Sequence, residues 1–263
     1  MIYTVLSLFP GIIDGFFSAS IMARAMSRGI VAYRSVNIRD YALDKHRTCD
    51  DAPYGGGAGM LMRCEPLDRA LAAAGARRRI GLEGEGDEAG AKPRVLYPSP
   101  SGRPFTQEMA REFAQERELI ILCGRYEGID QRIIDLYVDD EISVGDYVLS
   151  SGETAALVII DATYRLIDQV IRAESLEEES FADYLLEYPQ FTRPEIYANL
   201  RVPEILLSGH HDQIRRWRRK KQVEKTLALR PDLIRLGEAM GLYDEETRQL
   251  IEELGENRDD ERN

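Results

Sequence analysis

Cysteine and histidine are scarce in this chain, with three of each among 263 residues, and neither type is grouped. Cys49, Cys64 and Cys123 are odd in number and form no Cys-x-x-Cys pair. That excludes a disulfide framework and reads as buried, reduced thiols of a cytoplasmic protein. His46, His210 and His211 form no His-Glu-x-x-His motif, so no metal-ligating set is expected. The chain has no run of about 18 apolar residues, which leaves no candidate for a membrane-spanning helix. The opening residues, MIYTVLSLFPGIIDGFF, lack a basic leader and are interrupted by Pro10, Gly11 and Asp14. They read as strand, turn and helix start rather than as a signal peptide.

Net positive charge is lacking too. A formal charge of −12 argues against a surface that binds nucleic acid all over. The acid is unevenly spread, however. Between residues 212 and 230, Arg215, Arg216, Arg218, Arg219, Lys220, Lys221, Lys225 and Arg230 are set against Asp212 and Glu224 alone, whereas residues 238–261 hold ten acidic residues against Arg248 and Arg258. Ile214 and Trp217 give the basic run one apolar edge. Most such runs are solvated helix faces; in so acidic a chain, contact with an RNA backbone is the competing reading.

What is present is organised around residues 118–153, ELIILCGRYEGIDQRIIDLYVDDEISVGDYVLSSGE. A short apolar run ending at Gly124 suits a buried strand, since a helix needs about ten residues or more. A polar loop, a helix-like segment at 131–136 and a second extended run at 141–144 follow. Strand, loop, helix, strand is the grammar of an open α/β sheet, which binds ligands beyond the carboxyl ends of its strands. Upstream, residues 2–9 read as a strand, 12–29 as one helix and 31–41 as a second strand. Residues 48–60 form a loop, 65–74 a helix and 77–92 a surface excursion. Residues 94–97 are a third strand, ended by Pro98-Ser-Pro-Ser-Gly102, and 106–117 a helix capped by Thr106. Residues 153–166 are a long helix. The acidic stretch 168–183 suits a flexible linker between a domain at 1–167 and a mostly helical one at 184–263. No internal repeat is present.

Tyr54-Gly-Gly-Gly-Ala-Gly59 invites a phosphate-loop reading but fails both the Gly-Lys-Ser/Thr and the G-x-G-x-x-G patterns. It is either a pliant turn or backbone left bare for a flat ligand. The loops after Tyr97, Cys123 and Val144 combine small residues, Pro and few charges. They suit an adenine edge and an apolar slot without a pyrophosphate turn, a description S-adenosyl-L-methionine fits.

Taken in order, YTVLSLFP, PYGGGAGMLM, LYPSPSGRPF, LCGRYEGIDQR, SVGDYVLSSGE, SFADYLLEYPQFTRPE and VPEILLSGHHDQIRRWR resemble one family over nearly the whole chain: the bacterial tRNA (guanine-N1-)-methyltransferases of the SPOUT class, which act on guanosine 37 beside the anticodon. The resemblance implies a parallel α/β domain with a deep trefoil knot; periodicity alone gives an unknotted sheet. It also implies a homodimer with active sites at the subunit interface and a helical domain that grips the anticodon stem-loop. The implied cofactor loops carry Tyr97, Pro98, Ser99 and Pro100; Gly124, Tyr126, Glu127 and Gly128; and Ser143, Val144, Gly145, Asp146, Tyr147, Val148, Leu149, Ser151 and Gly152. Gly59, Arg193, Arg215, Arg216, Arg218 and Arg219 are implied at the RNA. Arg165 is implied to assist the reaction and Glu179 to act as base, with Asp183 as the fallback. Glu127 is a candidate to position the base or a magnesium ion. The chain departs from the family at Glu179, where aspartate is usual, at Ala58 (proline) and at Ser151 (glycine).

Two other classes fit parts of this pattern: a SPOUT enzyme acting on a ribose hydroxyl, and a non-catalytic RNA-binding module. A C5-pyrimidine methyltransferase is disfavoured, because it needs a nucleophilic cysteine and Cys123 falls in an apolar run.

Overall fold

The computed structural model describes residues 1–79, 92–172 and 179–260, and the chain divides into two compact units, Met1–Ile171 and Arg172–Asn263. Most of the excursion expected at 77–92, and Glu174, Glu177 and Glu178 of the acidic stretch, lie outside the described residues.

The first unit is built on one parallel sheet. Its strands are β1 (Ile2–Ser7), β2 (Ala32–Asn37), β5 (Arg94–Pro104), β6 (Glu118–Leu122) and β7 (Asp140–Ser143), lying in the order β2-β1-β6-β5-β7. Side chains alternate across a strand, and here both sets are apolar. Along β6, Ile120 and Leu122 join Leu6, Val95, Tyr97 and Met62 on one face. Leu119 and Ile121 join Tyr3, Val5, Leu96 and Ile142 on the other. A sheet apolar on both faces must be covered twice, as parallel sheets generally are. Helices α3 (Cys64–Ala73) and α5 (Gln131–Tyr137) supply Leu67, Leu71, Ile133 and Tyr137 to the first face. The second receives Ile13, Phe17, Phe113 and Ile159, from α1 (Gly11–Phe17), α4 (Gln107–Phe113) and α6 (Gly152–Tyr164).

Several elements differ from the sequence expectation. The single helix expected at 12–29 is two, α1 and α2 (Ser20–Ser27), because Ser20 takes φ 53° and breaks the ladder. The second strand stops at Asn37, whose side chain accepts from the Arg39 N–H and starts a 3-10 turn over Ile38–Tyr41. Within the 48–60 loop and beyond it, β3 (Asp50–Asp51) pairs antiparallel with β4 (Leu61–Met62). The third strand is longest of all: it continues through the Pro-Ser-Pro-Ser run to Pro104, with a register shift between Pro98 and Arg103. Proline cannot donate to a ladder and normally marks an edge or bulge; the irregular stretch is that bulge.

The second unit has its own small core of Leu185, Val223, Ile234, Tyr243 and Ile251. A two-residue hairpin, β8 (Ile196–Tyr197) and β9 (Leu200–Arg201), precedes four helices, α7 (Glu204–Leu207), α8 (His211–Leu229), α9 (Pro231–Ala239) and α10 (Glu245–Asp260). Residues 179–187 are folded back on themselves. The Glu187 N–H donates to Ser180 Oγ at 3.0 Å, the Phe181 N–H to the Leu185 carbonyl at 2.9 Å, and Leu185 is fully buried.

Gly102 closes the bulge. A methyl at its Cα would overlap the backbone of Glu141 and Ile142, which no side-chain rotation relieves. Gly102→Ala should therefore destabilise the first unit by about 1–3 kcal/mol, the usual cost of overpacking, read as a lower urea midpoint. An unchanged midpoint would mean that β5 and β7 are not held this closely.

Candidate active site

Three adjacent parallel strands, β6, β5 and β7, end at the same edge of the sheet, so the loops that follow them emerge side by side. Together with the start of α6 they wall a cavity of about 330 Å³. Tyr97, Pro98, Ser99 and Pro100 come from the β5 bulge; Gly124, Tyr126, Glu127 and Gly128 from the loop after β6. Ser143, Val144, Gly145, Tyr147, Val148, Leu149, Ser151 and Gly152 come from the loop between β7 and α6. Of the residues expected at a cofactor, Asp146 alone does not line the wall; it is exposed beside it.

Close backbone approach shapes the cavity. The Gly152 N–H donates to the Gly124 carbonyl at 2.9 Å, and a Cβ at Gly152 would overlap Gly124 N and Cys123 Cα. A Cβ at Gly124 would press on the Tyr97 ring. Gly145 has φ 147°, which glycine tolerates, and its carbonyl accepts from the Tyr147 N–H at 2.8 Å. The Tyr147 hydroxyl then donates to the Val144 carbonyl at 3.0 Å. Tyr97 is 6 % exposed, and burial, reinforced by the charge of Glu141, pushes its phenol up to about 12.

The glycine-rich loop flanks this edge without entering it. The Glu127 N–H donates to the Met60 carbonyl and the Met62 N–H to the Gly128 carbonyl, each at 3.0 Å. Gly59, at φ 85°, leaves room for the Glu127 side chain. This loop is a bare backbone surface beside the cavity, and Tyr54 at its start is 99 % exposed.

Sequence reasoning missed a buried polar group behind the wall. Glu153 is fully buried; it receives the Ser7 hydroxyl at 2.5 Å and lies 3.5 Å from Arg125 Nε. Arg125 in turn lies 4.6 Å from the Phe9 ring centroid. The only local signal was an acidic residue opening an apolar helix, which ordinarily reads as a favourable helix-dipole charge. Cys123 is also fully buried, and burial, then the charge of Glu153, pushes its thiol well up. A thiol so held is a poor nucleophile.

The remaining expected residues belong to the end of α6 and to the second unit. Arg165 caps the far end of α6, a helix of 13 residues and hence about 20 Å long, with the cavity at its beginning. Glu179 is half-buried at the start of the second unit, its carbonyl accepting from the Ala182 N–H at 3.2 Å. Asp183 is engaged by Arg219 at 2.5 Å and by the Leu185 N–H. Arg193 is exposed. Arg215, Arg216, Arg218 and Arg219 share α8: Arg215 pairs with Asp212 and Arg216 with Glu246, each at 2.7 Å, and Arg218 lies over the Tyr188 ring. Exposed pairs of this kind are worth about 0–1 kcal/mol, so an RNA phosphate can compete for these cations. Among the described residues no group of three or more His, Cys, Asp or Glu converges to hold a metal, and no helix is long and apolar enough to cross a membrane.

The raised Tyr97 pKa carries a sign. Its folded value lies above the ordinary 10.0, so the neutral phenol contributes stability that is fully present below pH 10 and is lost as pH rises through about 12. Tyr97→Phe should make the alkaline fall in unfolding free energy shallower between those limits. A pH profile unchanged by the substitution would contradict the buried setting.

The family model described as tRNA (Guanine-1)-methyltransferase TrmD matches residues 1–236. A tRNA (guanine-N(1)-)-methyltransferase of Treponema denticola is 57 % identical over 254 residues, covering 97 % of this chain and 99 % of its own. The protein of the same name from Treponema pallidum is 56 % identical over 250 residues, 95 % of this chain and 94 % of its own. That of Caldicellulosiruptor saccharolyticus is 50 % identical over 234 residues, 89 % and 90 % of the two chains. The cavity-lining loops and the flanking glycine-rich loop all fall inside the matched region, and the chain belongs to the tRNA (guanine-N1-)-methyltransferase family.

Proposed function

We propose that this chain transfers the methyl group of S-adenosyl-L-methionine to N1 of guanosine 37 in tRNA. The observation that carries the reading is the cavity formed by the three loops after β5, β6 and β7. It suits the donor: Gly124 and Gly152 let the wall backbones approach closely, and the wall loops carry no glycine pattern of a pyrophosphate turn. Bound there, the donor supplies an electrophilic methyl on a sulfonium.

The chain's own residues handle the proton and the charge. The N1 proton must leave as N1 attacks the methyl, and a carboxylate held against N1 accepts it. We assign Glu179 as that base. Asp183 is a weaker choice because it is already bound by Arg219 and the Leu185 N–H. Arg165 meets negative charge developing on guanine O6. Where magnesium takes part, Glu127 is the wall carboxylate available to it.

The length of α6 bears on assembly. Ala155 near the start of α6 lines the cavity, and Arg165 at the other end of that helix stands about 15 Å further along its axis; that separation favours action at a partner's cavity, in a homodimer with shared sites. The parallel five-stranded sheet is consistent with a SPOUT-type domain, and the trefoil knot is part of this proposal. A cytoplasmic location follows from a tRNA substrate.

Single-turnover methylation of a transcript, followed by nucleoside digestion, tests the reading. It predicts 1-methylguanosine, and a rate about 100- to 10,000-fold lower in Glu179→Gln, the range for loss of a general base. A 2′-O-methylated nucleoside would transfer the chain to the ribose-modifying class, and full activity in Glu179→Gln would remove that residue from the mechanism. Replacing Arg215, Arg216, Arg218 and Arg219 with Gln should weaken tRNA binding and flatten its salt dependence while leaving donor binding intact. Equal loss of both would make α8 structural only.

A further inference from the structure

The donor reading leaves one charged wall residue without a role. Among the described residues lining the cavity, Arg125 is the one cation, set against the one carboxylate of Glu127. Its position is supported from two sides. Glu153 Oε2 lies 3.5 Å from Arg125 Nε, and the guanidinium is 4.6 Å from the Phe9 ring centroid, within cation–π range. Yet the Arg125 side chain keeps 23 % of its surface exposed, and among the described residues no hydrogen bond engages its guanidinium. Nε and Glu153 Oε2 are buried and stop short of a hydrogen bond with each other.

Keeping a carboxylate fully buried is costly unless it holds a cation or a ligand in place. Ser7 satisfies one oxygen of Glu153 at 2.5 Å; the other faces Arg125. With Nε turned toward Glu153, both Nη nitrogens of the planar fork are left for a partner, and two parallel N–H groups match an oxyanion.

We infer that Arg125 is an anion-binding residue of this cavity, with Glu153 and Phe9 as the positioning residues that aim its Nη edge. The inference rests on the methyl-donor reading. Two sources present the required oxyanion: the carboxylate on the amino-acid tail of the donor, and a phosphodiester of the RNA. Both are singly charged and offer two acceptor oxygens to the guanidinium fork, the carboxylate planar and the phosphodiester tetrahedral, so the same Nη edge serves either.

Calorimetric titrations of the full chain separate them, using S-adenosylhomocysteine, 5′-methylthioadenosine, which lacks the amino-acid tail, and an anticodon stem-loop RNA. Arg125→Gln should weaken one oxyanion-bearing ligand by about 10- to 100-fold, the span for a hydrogen bond to a charged group. Methylthioadenosine should change by less than about twofold, since it offers no such acceptor. Arg125→Lys should recover part of the loss. Loss confined to S-adenosylhomocysteine assigns the carboxylate; loss confined to RNA assigns the phosphate. Glu153→Gln should reproduce a smaller loss with the same selectivity, whereas general damage to the wall lowers methylthioadenosine equally. Arg125→Gln binding all three ligands like the wild type overturns the inference, as does a parallel loss of methylthioadenosine. A wild-type chain that binds neither adenosyl compound overturns the methyl-donor reading itself, and this assignment with it.

Discussion

The structure depends on one constraint of sheet order: β5 lies between β6 and β7, and all three run parallel. Strands separated in the chain by whole helices are thereby made to end together, and the loops after them share one edge. No single loop has to build a ligand site alone. Each contributes a short stretch of backbone and small side chains, and the interior that holds the strands in place is dry on both faces, with Leu119, Ile120, Ile121 and Leu122 fully buried. Burying each such side chain contributes roughly 1.5–3 kcal/mol. Against that, the exposed ion pairs count for little, and the site is positioned by packing more than by charge.

Much of this was legible in the sequence because the physical signal was local. Short apolar runs stopped by glycine placed β6 and β7, and Thr106 marked the start of α4, where its hydroxyl accepts from the Met109 N–H. The loops after Tyr97, Cys123 and Val144 stood out for small residues, Pro and few charges, and the structure brings them to one cavity. What failed did so where tertiary contact overrides a local rule. Pro98-Ser-Pro-Ser-Gly102 reads as a strand terminator; here the strand bulges and resumes at Arg103 because Gly102 lets it approach Ile142. Ser18-Ala-Ser20 carries no strong breaker, yet Ser20 turns left-handed and divides the helix. The Ile196–Arg201 hairpin was not read from a region expected to be mostly helical; Ala198 and Asn199 at its tip both have positive φ, as tight two-residue hairpin turns require.

Charge was the least legible property. Glu153 looks in sequence like an ordinary acid at a helix start, and only the fold shows it sealed behind the cavity wall between Ser7 and Arg125. The basic helix is the reverse case. Its composition suggests an open cationic face, whereas Arg215, Arg216 and Arg219 each have an acidic partner in the second unit. A net acidic protein that holds its cations in weak, exchangeable pairs can hand them to an RNA backbone without presenting a basic surface everywhere.

The central claim is that three loops act as one receptor for the methyl donor, and amide hydrogen exchange tests it most directly. With S-adenosylhomocysteine added, the account predicts slowed exchange in residues 97–101, 124–128 and 143–152 together, at one common ligand concentration. Protection of only one of these loops, or of a surface remote from all three, would contradict it.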